Sequence, residues 1–350
     1  MEEVKYNIER RLLLGTLGII FSVFVSAQNL ANTMDVTDLY MKNELKEAPL
    51  QKEIKTVKVT YSTVTGIGQE EGVTRRDPSD VIKVDDLYYV WYSKGPLKTG
   101  YEATVWYATS HNGRNWTEQG MVLAKGKPGS WEAGSVFTPN IMVAEGKYWL
   151  FYTGVSTNYG KGFNPDSKIG IAVSDSPNGP WERLDTNPAL SNSIDPEAFD
   201  SHLIDDACLV VREGQYWFYY KGRKLGESPH YTKMGVAISD KPEGPYVKYK
   251  GNPVINGNHA ILVWPQTQGV AAMIGTTGPP EIVRSILFSK DGLHFEKTHD
   301  VEKGPDAGGG YRSDNFTDSA NAERIDWGLE IESKNGSLPF LHRYDVGWPK

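Results

Sequence analysis

Four segments of the chain repeat one order of strands and turns, and this repeat constrains the fold more than any other feature. In each segment a tight turn leads into an aromatic strand, and a second strand then ends in a polar turn followed by another aromatic residue. The aromatic strands are clearest at residues 88–92, 148–152 and 216–220. Strand repeats of about 40 to 65 residues are typical of propeller blades.

The repeat predicts an all-β, five-bladed β-propeller with a short N-terminal extension. A fifth blade would combine strands from both ends of the chain, which closes the ring and removes the exposed sheet edges. The expected blades are residues 77–122, 136–185, 203–250, 259–298, and 323–346 together with 54–65.

Composition supports a large globular domain and excludes some partners. The chain has 350 residues, of which 39% are hydrophobic, with ten Trp and nineteen Tyr, so it can bury an aromatic-rich core. The net charge of −7 offers no basic surface for nucleic acid. A neutral or mildly polar ligand fits this balance better.

The N-terminal residues are typical of a secretory signal peptide. Lys5, Arg10 and Arg11 precede an apolar run, and small residues follow at Val25-Ser26-Ala27. Residues 1–27 are therefore interpreted as a signal peptide, 28–55 as an N-terminal extension and 56–350 as the propeller domain. This predicts a periplasmic or secreted protein with no membrane insertion after cleavage. An uncleaved anchor is the alternative.

Two internal features receive structural interpretations. Cys208 is the only cysteine and lies within a strand pattern, so we expect a small core residue rather than a nucleophile. The glycine-rich run Gly304–Gly310 is expected to be a flexible loop, because no helix follows it to complete a phosphate-binding motif.

The blades can be aligned on the tight turn that precedes each aromatic strand, at Asp86, Gly146, Gly214 and Gly269. The position nine residues before each turn should begin the innermost strand, where side chains face the central funnel. The residues nine positions before these turns are Asp77, Phe137, Asp205 and Ala260.

Two carboxylates, Asp77 and Asp205, are therefore expected to converge with His259, the neighbour of Ala260. Hydrolysis of a glycosidic bond needs one group that takes a proton from water and another that protonates the leaving oxygen. A third charge can shift the pKa values of its neighbours. A histidine titrates near neutral pH and could serve as the acid.

At these residues the chain resembles the five-bladed propeller glycosidases of families 43, 62, 32, 68 and 117. The segment from Lys221-Gly222-Arg223 to Val263-Trp264-Pro265, which includes Met234–Asp240 and His259, is similar to glycoside hydrolase family 117. Known members of that family are exo-acting α-1,3-(3,6-anhydro)-L-galactosidases that trim neoagaro-oligosaccharides. The resemblance covers about residues 70–346.

The resemblance implies a role for each matching residue. Asp77 would be the general base of an inverting reaction, Asp205 would tune pKa values and contact the sugar, with Asp206 as the competing choice, and His259 would be the acid. Further substrate-binding residues are expected at Thr138, His202, Asp206, Arg223 and Trp264.

The resemblance also bears on cofactors and partners. It implies an oligosaccharide substrate, no required cofactor, and room for a structural divalent cation in the funnel and for a homodimer. No metal ligands can be assigned from the sequence. The family pattern has Glu after the histidine, whereas this chain has Ala260.

Two other functions stay open. One is a family 43-like arabinofuranosidase or xylosidase, although such an enzyme would need a glutamate in register where Ala260 stands. The other is a non-catalytic carbohydrate-binding propeller that kept the funnel and lost its acid.

Overall fold

The computed structural model describes residues 54–349 apart from 97–101, 158–166, 258, 260, 267, 277, 307, 315, 317–323 and 334–336. The predicted signal peptide and extension lie outside the described residues, except for the last two positions of the extension. Residues 54–350 form one compact unit. Within the described ranges, no helix has the length and apolar character to cross a bilayer.

The described residues are all-β, with one 3₁₀ turn at Pro229–Tyr231. The strands, in chain order, are β1 (Lys55–Thr63), β2 (Thr74–Arg76), β3 (Ile82–Val84), β4 (Leu87–Gly95), β5 (Thr104–Ser110), β6 (Thr117–Leu123), β7 (Ser135–Ala144), β8 (Lys147–Val155), β9 (Ser167–Ser174), β10 (Glu182–Arg183), β11 (Leu203–Arg212), β12 (Gln215–Arg223), β13 (Lys233–Ser239), β14 (Val247–Lys248), β15 (Ile261–Gln266), β16 (Gly269–Ile274), β17 (Ser285–Ser289), β18 (Glu296–Glu302), β19 (Gly308–Gly310), β20 (Trp327–Glu332) and β21 (Phe340–Gly347).

Three sheets are consecutive antiparallel units. Their orders are β2-β4-β5-β6, with β3 also paired to β4, then β7-β8-β9-β10 and β11-β12-β13-β14. They span residues 74–123, 135–183 and 203–248, within a few residues of the first three expected blades.

The fourth sheet has eight strands in the order β15-β16-β17-β18-β1-β21-β20-β19. The neighbours β18 and β1 are parallel, and this pair joins two antiparallel four-stranded halves. Because β1 comes from the start of the described chain and β21 from its end, their pairing seals both ends into one sheet. This confirms the expected partnership between the early strand and the C-terminal strands.

The aromatic strands lie second in each of the first three sheets, as β4, β8 and β12. Successive residues of a strand point to opposite faces, yet Trp91 and Tyr92 are both fully buried, as are Phe151 and Tyr152. Each of these sheets is therefore covered on both faces. The turns before β8 and β12 have positive φ at two successive residues, as at Glu145 (53°) and Gly146 (71°), the geometry of tight hairpins.

A buried arginine ties several sheets together at their inner strands. Arg312 has no exposed surface, and its guanidinium forms a two-bonded pair with Asp314 (2.8 Å for each bond) and a single bond to Asp80 Oδ2 (2.9 Å). It also donates to the carbonyl oxygen of Leu209 in β11 (2.8 Å). The second oxygen of Asp80 accepts the N–H of Gly310 in β19 (3.0 Å).

The same network continues into the second sheet. The Asn140 side chain of β7 accepts the N–H of Asp80 (2.9 Å) and donates to the carbonyl oxygen of Ala207 in β11 (2.7 Å). Inner residues from all these sheets thus share one chain of buried hydrogen bonds, which satisfies polar groups that would otherwise be costly to bury.

The glycine run is not the flexible loop that the sequence predicted, because Gly308–Gly310 forms β19 and pairs with β20. A Cβ at Gly309 would come within 1.8 Å of the carbonyl oxygen of Ser79, and one at Gly328 within 2.1 Å of the carbonyl oxygen of Gly309. Glycine is required here because two backbones approach more closely than a side chain permits.

Cys208 is fully buried in β11, as predicted for a core residue. Its sulfur accepts the N–H of Val263 in β15 (3.2 Å). Burial raises the pKa of the thiol far above its ordinary value, so the side chain is not a nucleophile at neutral pH.

Substituting Arg312→Met should lower the free energy of unfolding by about 3–5 kcal/mol, because it leaves Asp80 and Asp314 buried without their cation. Urea unfolding followed by tryptophan fluorescence measures the change. The control is Arg324→Met, whose exposed ion pair with Asp326 should contribute about 1 kcal/mol or less. Equal losses in the two variants would contradict a central role for the Arg312 network.

Candidate functional site

The first strands of three sheets carry the same local distortion. Asp77, Thr138 and Asp206 have positive φ values of 50°, 43° and 50°. In β7 and β11 the pairing register shifts at this point, so the residue forms a β-bulge. Positive φ is uncommon for residues other than glycine, and bulges redirect side chains next to functional sites.

Each of these three residues contacts a polar side chain of the neighbouring aromatic strand. These partners directly follow the last tyrosine of the strand, as in Tyr220-Lys221. The contacts are Ser93 Oγ to Asp77 Oδ2 at 3.2 Å, Thr138 Oγ1 to Thr153 Oγ1 at 2.5 Å, and Lys221 Nζ to Asp206 Oδ2 at 2.6 Å. The same backbone geometry thus positions a serine–carboxylate pair, a threonine–threonine pair and a lysine–carboxylate pair.

This register corrects the alignment made from the sequence. The residue equivalent to Asp77 is Asp206 rather than Asp205, and in the second sheet it is Thr138 rather than Phe137. Asp77 lies nine residues before its turn, whereas Thr138 and Asp206 lie eight before theirs. The sequence alignment took the residue nine positions before every turn, and it was therefore wrong by one residue in the second and third sheets.

Asp205 and Lys221 form a buried pair next to Asp206. They are register partners across β11 and β12, and Lys221 Nζ lies 3.1 Å from Asp205 Oδ1. Burial raises the pKa of Asp205 to about 7; Lys221 opposes this shift, and the charges of Asp206 and Asp77 add to it. Burial alone would lower the pKa of Lys221, but its two carboxylate neighbours hold that pKa above the ordinary value.

His259 lies within electrostatic reach of the same group. The charge of Lys221 is the largest influence and lowers the imidazole pKa, and loss of hydration acts in the same direction. Asp206, Asp77 and a hydrogen bond to the backbone of Pro229 oppose that shift. The structure thus brings Asp205, Asp206 and His259 together around Lys221, and Asp77 is within electrostatic reach of Asp205 and His259. Ala260 lies outside the described residues.

His202 and Arg223 lie where β11 begins and β12 ends. The backbone N–H of His202 donates to the carbonyl oxygen of Arg223 (3.0 Å). His202 Nδ1 and Arg223 Nε are buried atoms without a hydrogen-bond partner in the described part of the chain. Burial and the charge of Arg223 lower the pKa of His202. Unpaired buried polar atoms of this kind are available to a ligand.

Trp264 does not line the site, which corrects the sequence prediction. Its side chain has no exposed surface and packs with Leu262, Met273 and Tyr344 in the core. It is opposite Ala271 in the β15–β16 ladder. A sugar ring cannot stack on it, because neither of its faces is open. Sequence alone could not tell which face of β15 is buried.

Sequence reasoning missed Lys221, Ser93 and Pro229 as site residues. A signal for the first two was present, since a polar residue follows the final tyrosine of each aromatic strand. Pro229 gave no such signal, because its contact with His259 joins segments thirty positions apart (259 − 229). Among the described residues no cluster of three or more His, Cys, Asp or Glu is placed to hold a metal.

The raised pKa of Asp205 predicts how stability depends on pH. The folded state keeps a proton that the unfolded state releases near pH 4, so the free energy of unfolding should fall as pH rises from about 4 to about 7. Asp205→Asn should remove this decrease, up to a few kcal/mol. Urea titrations at several pH values measure it, with exposed Asp175→Asn as the control. An unchanged slope in Asp205→Asn would contradict the assignment.

Comparison with known proteins identifies one matching family and several structures with a similar fold. The family described as "Glycosyl hydrolases family 43" matches residues 75–206. A family 117 glycoside hydrolase from the marine bacterium Zobellia galactanivorans is 28% identical, with a TM-score of 0.76 over 83% of this chain and 91% of that chain. An endo-arabinase from Bacteroides thetaiotaomicron shares the fold, with 15% identity and a TM-score of 0.54 over 83% of this chain and 98% of that chain.

No curated protein matches the sequence significantly. The site geometry and the two family matches agree with each other, since residues 75–206 include both Asp77 and Asp206. They confirm the resemblance to glycoside hydrolase family 117, within the propeller glycosidases related to family 43, and this protein is a glycoside hydrolase.

Proposed function

We propose that the protein is an exo-acting, inverting glycoside hydrolase that removes a terminal (3,6-anhydro)galactose-type sugar from agar-type oligosaccharides. The observation that carries the proposal is that Asp77 and Asp206 share one register, that buried Lys221 pairs with Asp206, and that all three act electrostatically on His259. The likeness to a family 117 enzyme supports this substrate class.

Asp77 acts as the general base that takes a proton from the attacking water. Its two carboxylate oxygens accept hydrogen bonds from Arg76 Nε at 3.1 and 2.9 Å, and Ser93 donates to Oδ2. These donors fix the orientation of the carboxylate, as a base aimed at one water requires.

Asp206 takes the sugar contact, because its register matches that of Asp77. Asp205, one residue earlier, adjusts the pKa values of the group through Lys221. The bulge supports this division of roles between the two neighbours, which the sequence left open. His202 and Arg223 supply unpaired buried nitrogens that suit sugar hydroxyls, and Thr138 completes the same register on the second sheet.

His259 donates the proton to the leaving oxygen, and the carbonyl of Pro229 orients its ring. Its lowered pKa means that the protonated form is populated in acidic solution, so the enzyme should work best there. Asp205 is the second candidate for the acid, since its raised pKa lets it retain a proton up to about pH 7.

Two alternatives each have one supporting observation. The family 43 match supports an arabinofuranosidase or xylosidase. Ala260, where the family 117 pattern has Glu, supports a non-catalytic carbohydrate-binding protein. Incubation with neoagarobiose, carrageenan oligosaccharides and nitrophenyl arabinoside or xyloside separates the three. Release of one anhydro sugar supports the proposal; pentose release or binding without turnover supports an alternative.

The proposal extends to architecture and location. The eight-stranded sheet counts as two blades joined through β18 and β1, which makes five blades with the other three sheets. Residues 1–27 direct export to the periplasm or medium, residues 28–55 form an extension, and 56–350 form the catalytic domain. A central divalent cation and a homodimer remain part of this proposal, and no cofactor is required for the chemistry.

Asp77→Asn should lower kcat on neoagarobiose by at least about 100-fold, because an amide cannot take a proton from water. Release of the monosaccharide, followed by chromatography, measures turnover, and circular dichroism checks the fold. The matched control is Asp86→Asn, in an exposed turn of the same sheet. Near-normal turnover by Asp77→Asn would exclude it as the base.

The pH profile of kcat/KM should identify the acid. If His259 donates the proton, kcat/KM falls as pH rises through a value below 6.5, because the imidazole loses its proton. The His259→Gln variant should lack this part of the pH profile. Exposed His294→Gln should keep it. A limb near pH 7 that persists in His259→Gln and is lost in Asp205→Asn would assign the acid to Asp205 instead.

A further inference from the structure

A pocket of about 410 Å³ opens beside the end of the third sheet, where it meets the second. The loop of residues 191–201 forms one side of the pocket. Lys168, at the start of β9, and Leu225, just after β12, form the other side. We propose that this pocket, called here the loop-191 pocket, binds the part of the leaving group that lies beyond its first ring, which neoagarotetraose has and neoagarobiose lacks. This inference rests on the proposed function.

The pocket lies where an oligosaccharide bound at the proposed catalytic residues could extend along the protein surface. Ser201 lines the pocket, and the next residue is His202, whose Nδ1 is unpaired. Asp205 lies three residues further along the chain, roughly 10 Å at the rise of a strand. That span is longer than one sugar ring, so a substrate whose terminal sugar contacts Asp206 can extend past the first leaving-group ring into the pocket.

The pocket offers polar atoms that sugar hydroxyls can satisfy. Asn192 Oδ1 is buried and has no hydrogen-bond partner among the described residues, although Asn192 Nδ2 donates to the carbonyl oxygen of Asp200 (3.4 Å). Arg223 Nε and His202 Nδ1 add unpaired nitrogens on the catalytic side. A hydroxyl can both donate and accept, so one sugar can pair with an amide oxygen and with a guanidinium N–H.

The apolar lining matches the other surface of a sugar ring. Ile194 is fully exposed, Leu225 is 38% exposed, and Pro196 lies with them along the pocket. Large aliphatic side chains grouped at an opening often mark a binding surface. The C–H face of a pyranose, particularly an anhydro-bridged one, would cover them.

The loop is already held in place, which reduces the cost of binding. Ser201 Oγ donates to the carbonyl oxygen of Pro196 (3.1 Å) and accepts the N–H of Leu225 (3.1 Å). The N–H of Ser193 donates to the carbonyl oxygen of Asp200 (3.2 Å). A site that is built before the ligand arrives loses little conformational entropy on binding.

The test compares short and long substrates in two variants. Asn192→Ala should lower kcat/KM for neoagarotetraose by about fivefold, the effect of one lost hydrogen bond, and by less than twofold for neoagarobiose. The control Val247→Ala alters an exposed residue on the outer strand β14 of the same sheet and should leave both values unchanged. Equal effects of Asn192→Ala on the two substrates overturn the inference.

Calorimetric binding of neoagarotetraose to the Asp77→Asn protein separates this inference from the proposed function. Weaker binding when Asn192→Ala is added supports the pocket, even if the wild-type protein hydrolyses neither oligosaccharide. Unchanged binding would overturn the inference about the pocket. If the wild-type protein still hydrolyses the oligosaccharide, the proposed function stands. A wild-type protein that neither binds nor hydrolyses these sugars overturns both.

Discussion

The buried guanidinium of Arg312 is the interaction on which the rest of the structure depends. Sheets arranged side by side share little backbone pairing, so their inner strands need another connection. Arg312, Asp80 and Asn140 supply it through hydrogen bonds that satisfy one another without solvent. A charge without exposed surface is tolerated because every neighbour that it needs is present. The positions of the inner strands β7 and β11, and hence of the site residues Thr138 and Asp206 within them, depend on this network.

The candidate site also depends on buried charges that pair with one another, but there the pairing is incomplete. Lys221 is buried between Asp205 and Asp206, and one cation cannot fully compensate two carboxylates at a partly dry site. Burial and the neighbouring carboxylates outweigh Lys221 and raise the pKa of Asp205, whereas the charge of Lys221 and burial lower the pKa of His259. Neighbouring groups whose pKa values are pushed apart are what acid–base chemistry on a glycosidic bond requires.

Much of the fold could be predicted because its signals are local. The aromatic strands and the tight turns follow from residue patterns that the chain repeats, and the pairing of β1 with the C-terminal strands follows from the need to close the exposed sheet edges. Errors arose where a single residue changes the count or a face must be chosen. The bulges moved the site register from Asp205 to Asp206, and Trp264 was assigned to the site although it lies in the core.

The sequence by itself determined that aromatic strands repeat and that carboxylates recur before them, because strand periodicity and turn chemistry act over a few residues. Only the tertiary structure decided which carboxylate shares the register of Asp77, why Gly309 must be glycine, and that Lys221 and Pro229 belong to the site. These depend on contacts between distant segments, where backbone spacing and charge balance, rather than local propensity, select the residue.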